Sequence, residues 1–202
     1  VIVPHKNPDG DAIGSTLGLY HYLIKGNHQV NVISPNDYPN FLKWIPGETT
    51  ILKHDSQTKI CDTLINDADI IFTLDFNAFH RTGNMESVLT ESKAIKIMID
   101  HHQAPHDYAT YVFSDVSMSS TCEMVYHFID YLDDCHLIDA TIATCLYVGI
   151  MTDTGSFKFP STTSKTHKII AHLIEKGAKN TEIHNNVFDT NSYKSLQLLG
   201  CA

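Results

Sequence analysis

The chain has 202 residues, 43% hydrophobic and 18% charged, enough apolar material for one packed domain and too much for a disordered one. Fourteen Lys and Arg stand against 23 Asp and Glu, a formal charge of −9 with 13 histidines uncounted, so the basic clusters that grip long nucleic acid are not expected. No apolar run reaches the roughly 18 residues of a membrane span, and Val1-Ile2-Val3-Pro4 is too short for a signal-peptide core.

Residues 1–4 read as a strand running into the loop His5-Lys6-Asn7-Pro8-Asp9-Gly10-Asp11. Ile13, Leu17, Tyr20, Leu23 and Ile24 then recur at helical spacing, with Gly26 as the stop. Residues 29–34 alternate as a second strand closed by Pro35. Residues 38–59, with Pro39, Pro46 and Gly47, have no clear period and read as loop with short helical pieces. Residues 70–74 form a buried strand stopping at Asp75, residues 94–99 another stopping at Asp100, and a fifth is expected at 111–114. Ser120-Thr121-Cys122-Glu123 has capping-box spacing ahead of a helical stripe. Residues 142–151 read as a buried helix and 161–176 as an amphipathic one, while Thr181 and Asn191 look like caps of two more. This alternation predicts an α/β fold, a parallel sheet flanked by helices on both faces. Cys61, Cys122, Cys135, Cys145 and Cys201 are an odd number without a C-x-x-C pair, which fits a reducing cytoplasm. Gly10, Gly14 and Gly18 are spaced four and four, unlike a dinucleotide-binding loop.

Ligands of an open parallel sheet bind beyond the carboxyl ends of its strands. Three predicted strands end there in metal-type residues: His5 with Asp9 and Asp11, then Asp75, then Asp100-His101-His102. Asp153 joins them at the end of the apolar segment 145–151. Four negative charges from Asp9, Asp11, Asp75 and Asp153 in one crevice would raise one another's pKa values, and two divalent cations would cancel them. Mixed carboxylate and imidazole ligation suits Mn²⁺, with Mg²⁺ or Co²⁺ as alternatives. Two such ions roughly 3.5–4 Å apart can activate water for a phosphoryl displacement.

The segments H-K-N-P-D-G-D-A-I-G-S (His5–Ser15), T-L-D-F-N (Thr73–Asn77), I-D-H-H (Ile99–His102) and T-D-T-G-S-F (Thr152–Phe157) resemble, in order, the four motifs of the DHH phosphoesterase superfamily. P-D-G-D-A-I-G-S is most similar to the bifunctional oligoribonuclease/pAp phosphatase branch. The resemblance implies a DHH-type, Rossmann-like domain with its metal site at the strand ends. It implies that His5, Asp9 and Asp75 hold one metal and Asp11, Asp75, His101 and Asp153 the other. His102 would face the substrate phosphate as a catalytic group, with Asp100 orienting an imidazole behind it. Arg81, Lys158 and Ser120 are candidate substrate contacts, against the plainer readings of a surface ion pair, a loop charge and a helix cap.

The resemblance implies a cytoplasmic hydrolase of short RNA oligomers, pAp or linear dinucleotides, with no long nucleic acid or membrane as partner and a homodimer left open. Its rivals are a pyrophosphatase or exopolyphosphatase, and a nucleotide-binding regulatory module without turnover. Members of the branch carry a second lobe with a G-G-H motif, which does not occur in this sequence. Residues 1–180 are therefore expected to be the catalytic domain and 181–202 a helical linker toward a substrate-binding domain that this chain lacks. The missing initiator Met also hints at an incompletely represented chain.

Overall fold

The computed structural model describes residues 1–190 and Gln197. Six strands form one sheet: β1 (Ile2–Pro4), β2 (Val32–Ser34), β3 (Ile51–Lys53), β4 (Ile70–Leu74), β5 (Ile95–Asp100) and β6 (Tyr111–Ser114). All are parallel, in the order β3-β2-β1-β4-β5-β6. The chain winds outward from β1 to β3, returns to lay β4 against β1, and winds outward again. The order of travel reverses between β1 and β4, so a crevice opens there at the carboxyl ends of the strands.

Alternation along the short strands sends neighbouring residues to opposite faces. Ile2, Val32, Phe72, Leu74 and Ile99 belong to the larger core, with α1 (Gly10–Lys25), α4 (Thr121–Tyr131), α5 (Ala140–Asp153), α6 (Ser164–Glu175) and α7 (Asn180–Phe188). Val3, Ile33 and Ile71 belong to a smaller one, with α2 (His54–Asn66), α3 (Glu86–Glu91) and the 3-10 segment Phe79–Met85. The expected two-faced α/β architecture is therefore present. Among the described residues, no helix is long and apolar enough to cross a membrane.

α5 is apolar nearly all round because it is the central helix, with every residue from Cys145 to Met151 buried. It crosses α1 closely enough that a Cβ on Gly14 would stand 2.6 Å from the Cys145 carbonyl oxygen. The four-residue glycine spacing of α1 thus serves a helix crossing.

Several boundaries differ from the sequence reading. Residues 38–59 contain a sixth strand, β3, and the start of α2, which buries only His54, Cys61 and Ile65 and is kinked at Gln57. The strand expected from residue 29 begins at Val32. α6 begins at Ser164 rather than 161, because Thr163 and Thr166 close a reciprocal capping box. α7 begins at Asn180 with Lys179 at its cap position, two residues before the cap expected at Thr181. The helix expected to start at Asn191 lies outside the described residues.

Candidate metal centre at the carboxyl ends of the strands

His5 leaves β1 buried, 7% exposed. Its Nδ1–H donates to the Lys6 carbonyl at 2.8 Å, which leaves Nε2 as the lone-pair atom of the neutral ring. That Nε2 stands 3.3 Å from Asp75 Oδ2 and 3.9 Å from Asp9 Oδ2. Asp9 divides its carboxylate: Oδ1 caps α1 by accepting from the backbone amides of Asp11 and Ala12, both at 3.0 Å, and Oδ2 turns to the crevice. Asp11, in the first turn of α1, is 1% exposed. Its two oxygens accept from the amides of Thr121 at 2.6 Å and Cys122 at 2.9 Å, the start of α4. A helix N-terminus thus stabilises the Asp11 charge.

Asp75 follows β4 with a φ of +64°, a left-handed conformation that Asp adopts more readily than bulky residues do. It is 2% exposed, and Oδ1 accepts from Thr121 Oγ1 at 2.9 Å. His101, past β5, directs Nδ1–H at the Met118 carbonyl, 3.3 Å away. Its Nε2 faces Asp153 Oδ2 at 3.5 Å, Asp75 Oδ1 at 3.7 Å and Asp11 Oδ2 at 4.0 Å. Asp153 is the last residue of α5. Asp100 is fully buried; its Oδ1 accepts from His102 Nδ1 at 2.7 Å and its Oδ2 has no partner among the described residues.

These side chains form three groups with ligand atoms close enough to hold a metal ion: His5–Asp9–Asp75, Asp11–His101–Asp153 and Asp75–His101–His102. The electrostatics fit a cation. Burial, then repulsion from Asp75 and Asp153, pushes Asp11 well above the usual carboxylate range. Asp153 is pushed up to about 6, by burial first and by Asp75 and Asp9, with His101 opposing. Burial acts to raise Asp75 too, but a hydrogen bond from His5 once its ring is protonated, with the charges of His5, His101 and His102, holds it below its ordinary value. His5 is raised despite burial by Asp75, and His102 chiefly by its hydrogen bond to Asp100. Without a cation, the crevice retains protons that a divalent ion would displace.

The three candidate substrate contacts divide. Arg81, half-buried in the 3-10 segment Phe79–Met85, lies near enough to His102 for its charge to oppose protonation there. Its carbonyl accepts from the Lys6 amide at 2.8 Å, joining it to the first motif. Lys158 is exposed on the turn after α5. Ser120 is fully buried and caps α4, accepting from the Glu123 amide at 3.1 Å. The amides that a helix start there could have offered to substrate are taken by Asp11. The support of Asp11 by Thr121 and Cys122 is not legible in the sequence; the capping-box spacing at 120–123 marks that helix start without revealing its partner.

A doubly wound sheet whose switch point gathers carboxylates and imidazoles defines an α/β domain built around a candidate metal crevice. Residues 1–150 match the model of the DHH family, N-terminal domain, and the chain belongs to that family. A crystal structure of an exopolyphosphatase-related protein from Bacteroides fragilis is 44% identical with a TM-score of 0.97, covering 99% of this chain and 59% of that one. The bifunctional oligoribonuclease and PAP phosphatase NrnA of Thermus thermophilus is 31% identical over 184 residues, 90% of this chain and 51% of its own length. A Methanococcus jannaschii crystal structure, 21% identical with a TM-score of 0.62 over 98% of this chain and 60% of that one, shares the fold. The chain spans about half the length of the curated relatives it matches.

Proposed function

We propose that this domain is the catalytic half of a metal-dependent phosphoesterase acting on short oligoribonucleotides, pAp or linear dinucleotides. The observation that carries the reading is the pair of ligand groups His5–Asp9–Asp75 and Asp11–His101–Asp153, with Asp75 reaching both through its two oxygens. Two divalent ions held there, Mn²⁺ for preference given the mixed oxygen and nitrogen donors, would activate water and stabilise charge on the phosphoryl oxygens. The chain's own groups do the rest. Asp100 fixes the His102 ring through Nδ1, leaving Nε2 to place a proton at the leaving oxygen. Arg81 adds positive charge at the rim, where a phosphate would be shared between it and His102.

The relatives' greater length supports residues 181–202 as the path to a second, substrate-gripping domain after a catalytic domain at 1–180. Ile183 of α7 is itself buried in the larger core, so the path starts from an anchored helix. Free thiols at Cys61, Cys122, Cys135 and Cys145 fit a cytoplasmic setting.

The test is hydrolysis of pApA, pAp, pyrophosphate and polyphosphate by this chain in Mn²⁺. Higher kcat/KM for pApA or pAp is expected. The Bacteroides fragilis relative, described as exopolyphosphatase-related, favours a second reading, and faster cleavage of pyrophosphate or polyphosphate would establish that one instead. No turnover on any of the four would remove both.

A further inference from the structure

A second concave site takes part of its wall from the 3-10 segment Phe79–Met85. It is a cavity of about 350 Å³ between α2 and α3, lined by His54, Thr58 and Asp62 on one wall and Asn84, Ser87 and Val88 on the other. His54 is 4% exposed and directly follows β3, so its ring sits at the carboxyl end of the sheet, as the acidic crevice does. Its Nε2 pairs with Asp62 Oδ1 at 2.9 Å, which fixes the ring at the cavity wall. The Asn84 amide and the Ser87 hydroxyl make no side-chain hydrogen bond among the described residues, so the wall of the cavity carries free polar groups.

One short segment faces both sites. The Arg81 carbonyl accepts from the Lys6 amide at 2.8 Å, three residues before Asn84 meets the cavity. Between them Gly83, at φ +62°, leaves room for the Lys6 side chain; a Cβ there would stand 2.9 Å from Lys6 Cδ. Lys6 is the residue after His5. The segment that meets the first motif at Lys6 thus also forms part of the cavity wall.

The lining selects what that group is. Asp55, which also lines the cavity, and Asp62 are acceptors and repel a second phosphate, but they suit ring N–H and exocyclic amino donors. The Asn84 amide can both donate and accept, and Val88 gives an apolar wall for a flat ring. We propose that this cavity is a nucleobase subsite, taking an amine-bearing base whose own phosphate lies on the metal crevice. The proposal rests on the phosphoesterase reading and narrows it: the acidic lining favours nucleotides over pyrophosphate or polyphosphate.

The test uses Asn84→Leu, which fills the cavity from its exposed wall, and Asp62→Asn, which keeps the shape and changes the acceptor. Steady-state kinetics in Mn²⁺ would compare pApA with bis(p-nitrophenyl) phosphate, which has no base. Both variants should raise KM for pApA about tenfold and leave hydrolysis of the base-free diester within twofold of the parent. Equal effects on both substrates, or none on pApA, would overturn the subsite. AMP binding, followed by ligand-observed NMR with and without excess pyrophosphate, gives a readout that needs no turnover. If the parent hydrolyses neither diester and not pAp either, the phosphoesterase reading fails. The subsite then survives only if AMP binds the parent in the presence of pyrophosphate and Asn84→Leu loses that binding.

Discussion

Asp75 combines three demands at one position. It must leave β4 in a left-handed conformation, accept from Thr121, and present an oxygen to each imidazole. Asn tolerates the same backbone, so Asp75→Asn should fold normally while hydrolysis falls by several orders of magnitude at matched Mn²⁺. Near-normal turnover, with folding checked by circular dichroism, would remove Asp75 from its shared place. Asp100 calls for a different outcome. It touches no other crevice acid and acts through His102, so Asp100→Asn should lower kcat about ten- to hundredfold while the Tm gain on adding Mn²⁺ persists. Loss of that gain would mean that Asp100 supports the metal groups themselves.

At the scale of elements, the centre depends on how α1, α4 and α5 meet. A Cβ on Gly149 would stand 2.1 Å from Cys122 Sγ and 2.7 Å from Asp11 Oδ1, whereas one on Gly18 would press chiefly on the flexible end of Leu146. Gly149→Ala should therefore cost about 1–3 kcal/mol by overpacking, lowering Tm by roughly 2–4 °C per kcal/mol in a domain of this size. It should also weaken the response to Mn²⁺ by displacing Asp11; Gly18→Ala should be milder and leave that response intact. Thermal melts of both variants, with metal and with chelator, would check this. The same contacts explain what sequence could and could not reveal. The motifs at His5–Asp11, Asp75 and Asp100–His102 were legible because each sits where a buried strand run rich in β-branched residues stops, whereas Asp153 ends a helix. The support of Asp11 by Thr121 and Cys122 was not legible, since it joins residues 110 and 111 apart in the chain. β3 and α2 were missed because α2 buries only three residues across a kinked, polar helix, too few to print a helical period.

For the whole molecule, proton binding and metal binding oppose each other. Asp153 titrates near 6 when folded, against an ordinary value of 3.8, so between roughly pH 4 and 6 the folded form holds more protons than the unfolded one. Stability of the metal-free protein should fall as pH rises through that window. His5 and His102 are raised above 6.5; their stabilisation is complete below 6.5 and is lost as pH climbs through the folded values. Asp75 has the opposite sign, stabilising above its ordinary value and losing that only in stronger acid. In the proposed site Mn²⁺ would take the place of the retained protons, so its Tm gain over chelator should grow from pH 5 to pH 8. A gain that stayed flat or shrank would contradict a cation site among these groups. Millimolar Mn²⁺ without any effect on Tm would do so more directly. A longer version of the chain, as long as the relatives, should bind pApA with a lower KM, because a larger pocket can bury more of the ligand. Equal kcat/KM for the two lengths would place all recognition in this half.

The crevice draws on residue 5 at one end of the described chain and residue 153 toward the other, with β1, β4, β5 and α5 all required to bring the ligands together. No local fragment holds a complete site, so its contacts are of long sequence separation and should form late on the folding route. A ligand that rewards only late contacts slows unfolding and leaves refolding almost unchanged. In stopped-flow experiments, Mn²⁺ should therefore shift the unfolding limb of the chevron downward and hardly move the refolding limb. Resistance to proteolysis under conditions limited by the unfolding rate would then report metal occupancy without any substrate.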